Sequence, residues 1–180
     1  MEEPTDEDLM KAYARGDLQA FERLYARHRA PLYRYILRLA GNPATAGDLF
    51  QGTWEKIVRA RRRYRSNAPF KAWMYRIAHN HVMDHFRRSR LAEHEAPEGW
   101  PESWPGDDPG PEQRLEESRR EDEFSAAVQS LAAEQREAVL LRLEAGLDTR
   151  SIAEVTGVNA ETAKSRLRYA VAHLRKRLGE

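Results

Sequence analysis

Residues 149–167 read TRSIAEVTGVNAETAKSRL, and their spacing decides the fold. Ala153 is small, as two closely crossing helices require, and Gly157 follows four residues later where the intervening turn needs a left-handed backbone. Ile152 and Val158 supply apolar contacts on either side of that turn, and Asn159 can cap the helix that follows. This is helix-turn-helix spacing. Along the second helix, Ala163, Leu167, Ala170, Val171, Leu174 and Leu178 recur on one stripe. Thr162, Ser165 and Tyr169 point the other way, flanked by Arg166 and Arg168, with Lys164 near the edge. Hydroxyls, guanidinium groups and an aromatic on one face match phosphates and base edges in a major groove. On these residues alone, the motif fits any helix-turn-helix DNA-binding protein.

Working outward, the rest of the chain also has helical periodicity, with no convincing alternating strand. Helices are predicted from a cap at Asp6 to Gly16, from Asp17 to about Ala40 with Pro31 as a possible kink, over 45–62, and over 70–90. Gly41-Asn42-Pro43 is a strong break between the second and third. After residue 113, helices are expected to about 130, then over 133–145, 149–155 and 160–178, with Gly146 and Gly157 at the joints.

Residues 91–113, LAEHEAPEGWPESWPGDDPGPEQ, hold five prolines, three glycines and a run of carboxylates, and read as an extended linker. Trp100 and Trp104 stand out in such a segment, as docking points on a neighbouring helix or in a partner's groove. The expected fold is all-α: two small helical domains, 1–90 and 114–180, joined by an extended acidic Pro-rich linker over 91–113, the C-terminal one with the helix-turn-helix.

A formal net charge of +1 hides a segregation. Residues 1–90 carry 18 Lys and Arg against 10 Asp and Glu, residues 91–123 carry 3 against 12, and residues 124–180 carry 9 against 7. Two basic blocks flank an acidic connector, a pattern suited to meeting a polyanion at both ends. No cysteine is present, which excludes disulfides, thiolate metal sites and a cysteine nucleophile. The acidic N-terminus lacks the features of a signal peptide, so a cytoplasmic location is expected. His81 and His85 are four apart, a spacing able to chelate zinc, but no third ligand accompanies them beyond the nearby His79 and Asp84. No metal or cofactor is expected, and no nucleophile triad, phosphate-binding glycine loop or paired-carboxylate site points to an enzyme or a small-molecule substrate.

The fourth helix is apolar on two faces: Phe70, Trp73, Met74, Ile77 and His81 on one, Tyr75, Val82 and Phe86 nearly opposite. Such a helix is expected to be sandwiched within a bundle. The stretch before it, Arg59 to Arg65, holds five arginines and a tyrosine, with Asn67 just beyond. Arg63, Tyr64, Arg65, Ser66 and Asn67 thus offer charge for a backbone and surfaces for clasping an unpaired base, the chemistry of single-strand binding.

These segments resemble a known family. PFKAWMYRIAHNHVMDHFRR (69–88), AFERLYARHRAPLYRYILRLAGNPATAGDLFQGTWEKIV (20–58) and LAAEQREAVLLRLEAGLDTRSIAEVTGVNAETAKSRLRYAVAHLRKRL (131–178) resemble, in order, blocks of the extracytoplasmic-function sigma factors. The resemblance implies a non-catalytic subunit that joins core RNA polymerase, through its β′ and β subunits, to promoter DNA. It implies that Asp48, Leu49, Phe50, Gln51, Trp54, Ile57 and Val58 form the patch for the β′ coiled coil. It places the loop 63–69 and the start of the fourth helix where a flipped −10 base is captured, with Trp73, Arg76 and Asn80 near that DNA or in its supporting core. It places Lys164, Ser165, Arg166, Arg168 and Tyr169 at the −35 element, and it implies a sequestering anti-sigma partner. Gly47 and Gly52 stand where the family's polymerase-binding motif usually has carboxylates, and Thr156 and Ala163 where larger aliphatics are usual. The alternative is a helix-turn-helix regulator acting without being a polymerase subunit; a third is a small DNA-packaging or adaptor protein.

Overall fold

The computed structural model describes residues 3–65, 68–92 and 111–179. Among these residues the chain forms eight α-helices, one 3-10 turn and no strand. Trp100, Trp104 and most of the predicted linker lie outside the described residues.

Local chemistry explains most helix boundaries. Helix α1, Asp6–Ala14, is capped by the Thr5 hydroxyl, which accepts the Asp8 N–H, and not by Asp6 as the sequence suggested. Asp6 instead reaches across to α2 (Leu18–Ala40), where its carboxylate accepts from Arg27 at 3.0 Å and meets the His28 ring at 2.7 Å. Asp17 caps α2 through the N–H groups of Gln19 and Ala20. Helix α2 continues through Pro31 and ends at Gly41, whose left-handed φ of 69° favours a residue without a Cβ. Gly41, Asn42 and Pro43 then serve as C-cap, N-cap and first residue in succession, so α3 (Pro43–Ala60) begins two residues earlier than the pattern predicted. A 3-10 turn, Arg61–Arg63, leads towards α4, Phe70–Ala92.

The first four helices enclose an aromatic-rich core. Trp54 of α3 packs against Phe21 and Tyr25 of α2 with ring centroids 5.8 and 4.9 Å apart, and Tyr13 of α1 sits 4.8 Å from Phe21. Phe70, Met74, Ala78 and Val82 of α4 are almost wholly buried.

The second unit comprises α5 (Pro111–Gln129), α6 (Ala133–Leu143), α7 (Thr149–Thr156) and α8 (Ala160–Leu178). Asp148 caps α7 through the Ser151 N–H at 2.7 Å; that hydrogen bond holds its carboxyl below the usual range. Leu140, Leu141, Ile152, Ala163 and Ala170 are fully enclosed.

The two units pack against each other into one contiguous buried core, a contact the sequence reading did not anticipate. Helix α4 meets α7, and α2 meets α5 and α6. The two-faced pattern of α4 finds its explanation here. One face joins the N-terminal bundle; from the other side His79 reaches Glu137 of α6, and Arg76 lies 4.0 Å from Glu154 of α7. Glu137 of α6 is buried at 6 % exposure, accepting from the Tyr35 hydroxyl at 3.0 Å and bonded to Nδ1 of His79. Burial and the adjacent carboxylate push the Tyr35 phenol well above its ordinary range, so it stays a donor. Arg34 and Arg38 of α2 both pair with Glu144, and Arg38 also with Glu121 while lying over the Phe124 ring at 5.1 Å. Gln129 donates to the Arg38 carbonyl at 2.7 Å.

Two stability outcomes follow from these bonds. Glu137→Ala leaves the buried Tyr35 hydroxyl and the half-buried His79 without their acceptor and is expected to cost about 1–3 kcal/mol in urea denaturation of the full chain, more than Tyr35→Phe, which removes one donor only. Asp6 has a folded-state pKa held below its ordinary value, first by the His28 bond and then by Arg27 against an opposing burial effect. Its contribution is therefore complete above the unfolded value of about 3.9 and is lost as pH falls through the lower folded value. Asp6→Asn should flatten that acid limb of the stability–pH curve.

Candidate nucleic-acid interface

The helix-turn-helix stands as its residues indicated. Gly157 adopts a left-handed φ of 69°, its N–H and that of Val158 both return to the Ala153 carbonyl, and Asn159 accepts the Thr162 N–H at 2.7 Å. Thr156 turns its hydroxyl back to the Ile152 carbonyl, and Ala163 is fully buried at the crossing. On the outer face of α8, Lys164, Arg168 and Tyr169 are exposed, while Thr162, Ser165 and Arg166 are half-buried. The Arg168 guanidinium lies 5.1 Å over the Tyr169 ring, which orders both side chains beside open solvent. The predicted apolar stripe is covered only in part. Ala163, Ala170 and Leu174 are buried, but Val171 and Leu178 are exposed at 38 % and 40 %.

At the N-terminal unit, Arg62, Arg63 and Arg65 are exposed around the loop before α4. Ser66 and Asn67 lie outside the described residues. Tyr64 is not a free stacking surface. Its ring packs on Trp73 and Phe70, at 5.2 and 6.1 Å, and its hydroxyl donates to the Ala68 carbonyl at 2.9 Å, so it braces the loop from within. Burial first, then the carboxylates of Glu7 and Asp6, push its hydroxyl up to about 12. Trp73, Arg76 and Asn80 follow at helical spacing along α4. Trp73 is half-buried against Tyr64 and Phe70; Arg76 and Asn80 are exposed, Arg76 lying 4.0 Å from Glu154 of α7.

The seven residues assigned to polymerase docking divide by burial. Leu49, Trp54 and Ile57 point into the core. Asp48 and Gln51 are exposed, Gln51 donating to Glu55 at 3.3 Å; Phe50 and Val58 are half-buried.

Gly52 has a structural reason. A Cβ there would come within 2.5 Å of His81 Nε2, so the glycine admits the imidazole between α3 and α4. Burial, then Lys56 and Arg88, hold His81 below the usual histidine range, which keeps it neutral in that seam. His79 is bonded to Glu137, and His85 stacks on Phe86 at 5.7 Å; among the described residues no cluster able to hold a metal ion occurs. Gly47 has open space around it.

Sequence reasoning missed Glu7, whose carboxylate accepts the Phe70 N–H at 2.7 Å. The available signal was negative: Pro69, immediately before α4, has no side-chain oxygen with which to cap it.

Among the described residues the fold is all-helical, with a helix-turn-helix on one unit and an arginine-rich, aromatic-braced loop on the other, features that define a class of nucleic-acid-binding proteins. Comparison with known proteins narrows the class. Residues 24–91 match the model for Sigma-70 region 2, and residues 121–174 that for Sigma-70, region 4. The chain is 35 % identical to the ECF RNA polymerase sigma factor BldN of Streptomyces coelicolor, over 95 % of its own length and 64 % of that relative's. It is 34 % identical to the ECF RNA polymerase sigma factor SigE of Mycolicibacterium smegmatis, covering 99 % of this chain and 71 % of that one. Identity to the RNA polymerase sigma factor CarQ of Myxococcus xanthus is 31 %, over 95 % and 96 %. Among solved structures, CnrH in complex with the cytosolic domain of CnrY superimposes with a TM-score of 0.69 at 25 % identity, over 97 % of both chains. Sigma factor RpoE of Bartonella quintana, solved with the anti-sigma factor NepR, shares the fold at a TM-score of 0.72 and 22 % identity, over 88 % of this chain and 96 % of that one. The chain belongs to the sigma-70 family of RNA polymerase sigma factors, in its extracytoplasmic-function branch.

The Gly52–His81 seam makes a sign-reversing prediction. Gly52→Ala should destabilise the chain in thermal melts, whereas in a His81→Ala background the same change should stabilise it by up to about 1 kcal/mol through helix propensity.

Proposed function

We propose that residues 1–90 dock on core RNA polymerase and hold the non-template strand of the −10 element. Residues 114–180 bind the −35 element as duplex, and residues 91–113 connect the two units. The observation that supports this most is the pair of exposed basic faces, one on each unit. The α8 face is built for a major groove, and the arginine loop before α4 is suited to an unpaired strand. Asp48, Gln51, Phe50 and Val58 form the available polymerase-docking surface on α3.

Nothing in this role is catalysis by the chain. Capture of an unpaired base shifts the melting equilibrium of the promoter, and binding energy alone accomplishes it. CnrH and RpoE were each solved with a protein partner, RpoE's being an anti-sigma factor; a sequestering partner of that kind is proposed for this chain too. Among the described residues no helix is long and apolar enough to cross a membrane.

The packed form has to open for both elements to be read together. The element names place them about 25 base pairs apart, or roughly 85 Å of duplex. A folded body of this length has a radius of gyration of only about 16 Å. The 18 residues from 93 to 110, drawn out, span at most roughly 60 Å, enough to separate the units.

Reconstituted transcription tests the reading: purified core polymerase plus this chain should start transcripts from a subset of genomic promoters, and absence of both complex and transcripts would refute it. Arg166→Ala and Arg168→Ala should each weaken binding to the upstream duplex by about 1–3 kcal/mol if the guanidinium contacts a base; unchanged footprints would remove those residues from the interface. Asp48→Ala with Gln51→Ala should weaken polymerase binding in a pull-down and leave upstream-duplex binding intact.

A further inference from the structure

The loop assigned to base capture is fastened at both ends to α1, which lies ahead of the residues matched by the family model. On the incoming side, the Arg61 guanidinium lies 5.7 Å over the ring of Tyr13. On the outgoing side, Phe70 opens α4 with a backbone N–H that has no acceptor of its own, since Pro69 precedes it. The Glu7 carboxylate supplies one from 63 residues away, at 2.7 Å. A carboxylate there also complements the positive end of the helix dipole of α4.

Helix α1 is itself held. Arg27 of α2 donates to the Pro4 carbonyl at 2.9 Å and to Asp6 at 3.0 Å; Asp6 also meets His28, whose ring lies 5.4 Å from that of Phe70. The chain α2–Asp6–α1–Glu7–Phe70 therefore fixes where α4 starts, and so where Trp73 and the braced Tyr64 sit.

We infer that Glu7 is a positioning residue for strand capture: it caps α4 from outside and sets the geometry of the loop that receives the unpaired base. The inference rests on the proposed role of that loop. Glu7 touches no DNA in this scheme. Its effect is confined to the single-strand step, because the polymerase-docking surface on α3 and the duplex-reading face of α8 do not depend on the Phe70 N–H.

The test uses the full chain bound to core polymerase. The probe is a fork-junction DNA made from a promoter selected in the transcription assay, with its non-template strand unpaired across the −10 element. Glu7→Ala should lower affinity for the fork about tenfold, with affinities for core polymerase and for upstream duplex within about twofold of wild type. Glu7→Gln keeps an acceptor oxygen at the same reach and should restore most of the fork affinity. Wild-type fork binding by Glu7→Ala, with Arg63→Ala and Arg65→Ala clearly weakened, would overturn the inference and leave the loop reading standing. Equal losses of fork, polymerase and duplex binding would overturn it too, by showing a residue needed only for folding. If Arg63→Ala and Arg65→Ala bind the fork normally, the loop reading fails and the inference with it.

Discussion

Glu137 is a carboxylate of one helical unit inserted into the surface of another. At 6 % exposure it has lost most of its water, and its acceptance of the Tyr35 hydroxyl and the bond to His79 are what make that burial tolerable. The geometry of the closed molecule radiates from that point. Tyr35 packs edge-on against Tyr75 at 5.2 Å within the N-terminal unit, beside the point where His79 of α4 reaches Glu137. Glu144, one residue beyond the end of α6, meets Arg34 and Arg38. The contact is charge-complementary: guanidinium groups of α2 meet glutamates of the C-terminal unit. It is a polar joint set beside the apolar core that the two units share. Interfaces of this kind close firmly when every group is paired and come apart when a competing partner supplies the same chemistry.

Much of the fold was legible because its determinants are local. Gly157, Asn159 and Ala153 mark the helix-turn-helix within seven residues, and Gly41-Asn42-Pro43 mark a helix end and a helix start within three. Where the sequence misled, a non-local contact had taken over a residue with a sound local role. Asp6 is a good cap, yet Arg27 and His28 claim its carboxylate and Thr5 caps in its place. Glu137 and Glu144 drew no reading from the sequence, because nothing near them in the chain announces Tyr35, His79, Arg34 or Arg38.

The same distinction runs through the site. The arginines before α4 and the outer face of α8 were readable because exposure and charge leave a pattern in consecutive residues. Resemblance marked Leu49, Trp54 and Ile57 with the polymerase patch, but resemblance records position and not burial; all three belong to the core. Gly52 looked like a missing carboxylate and is instead the space into which His81 fits, a fact spread over two helices 29 residues apart. Tyr64 had the chemistry of a stacking platform, and Trp73 and Ala68 have already engaged it.

A closed chain and a two-element reader are reconciled only by separation of the units, so the distance between them is the quantity to measure. The chain has no cysteine, so introduced thiols are the only sites that thiol-reactive dyes can label. Dyes placed at Ala26→Cys and Ala172→Cys, both exposed and outside the joint, report that distance by single-molecule energy transfer. The free chain should give one high-efficiency population, shifting by tens of ångströms to low efficiency in the complex with core polymerase and promoter DNA. A free chain already at low efficiency, or a transcribing complex whose efficiency stays high, would contradict the account.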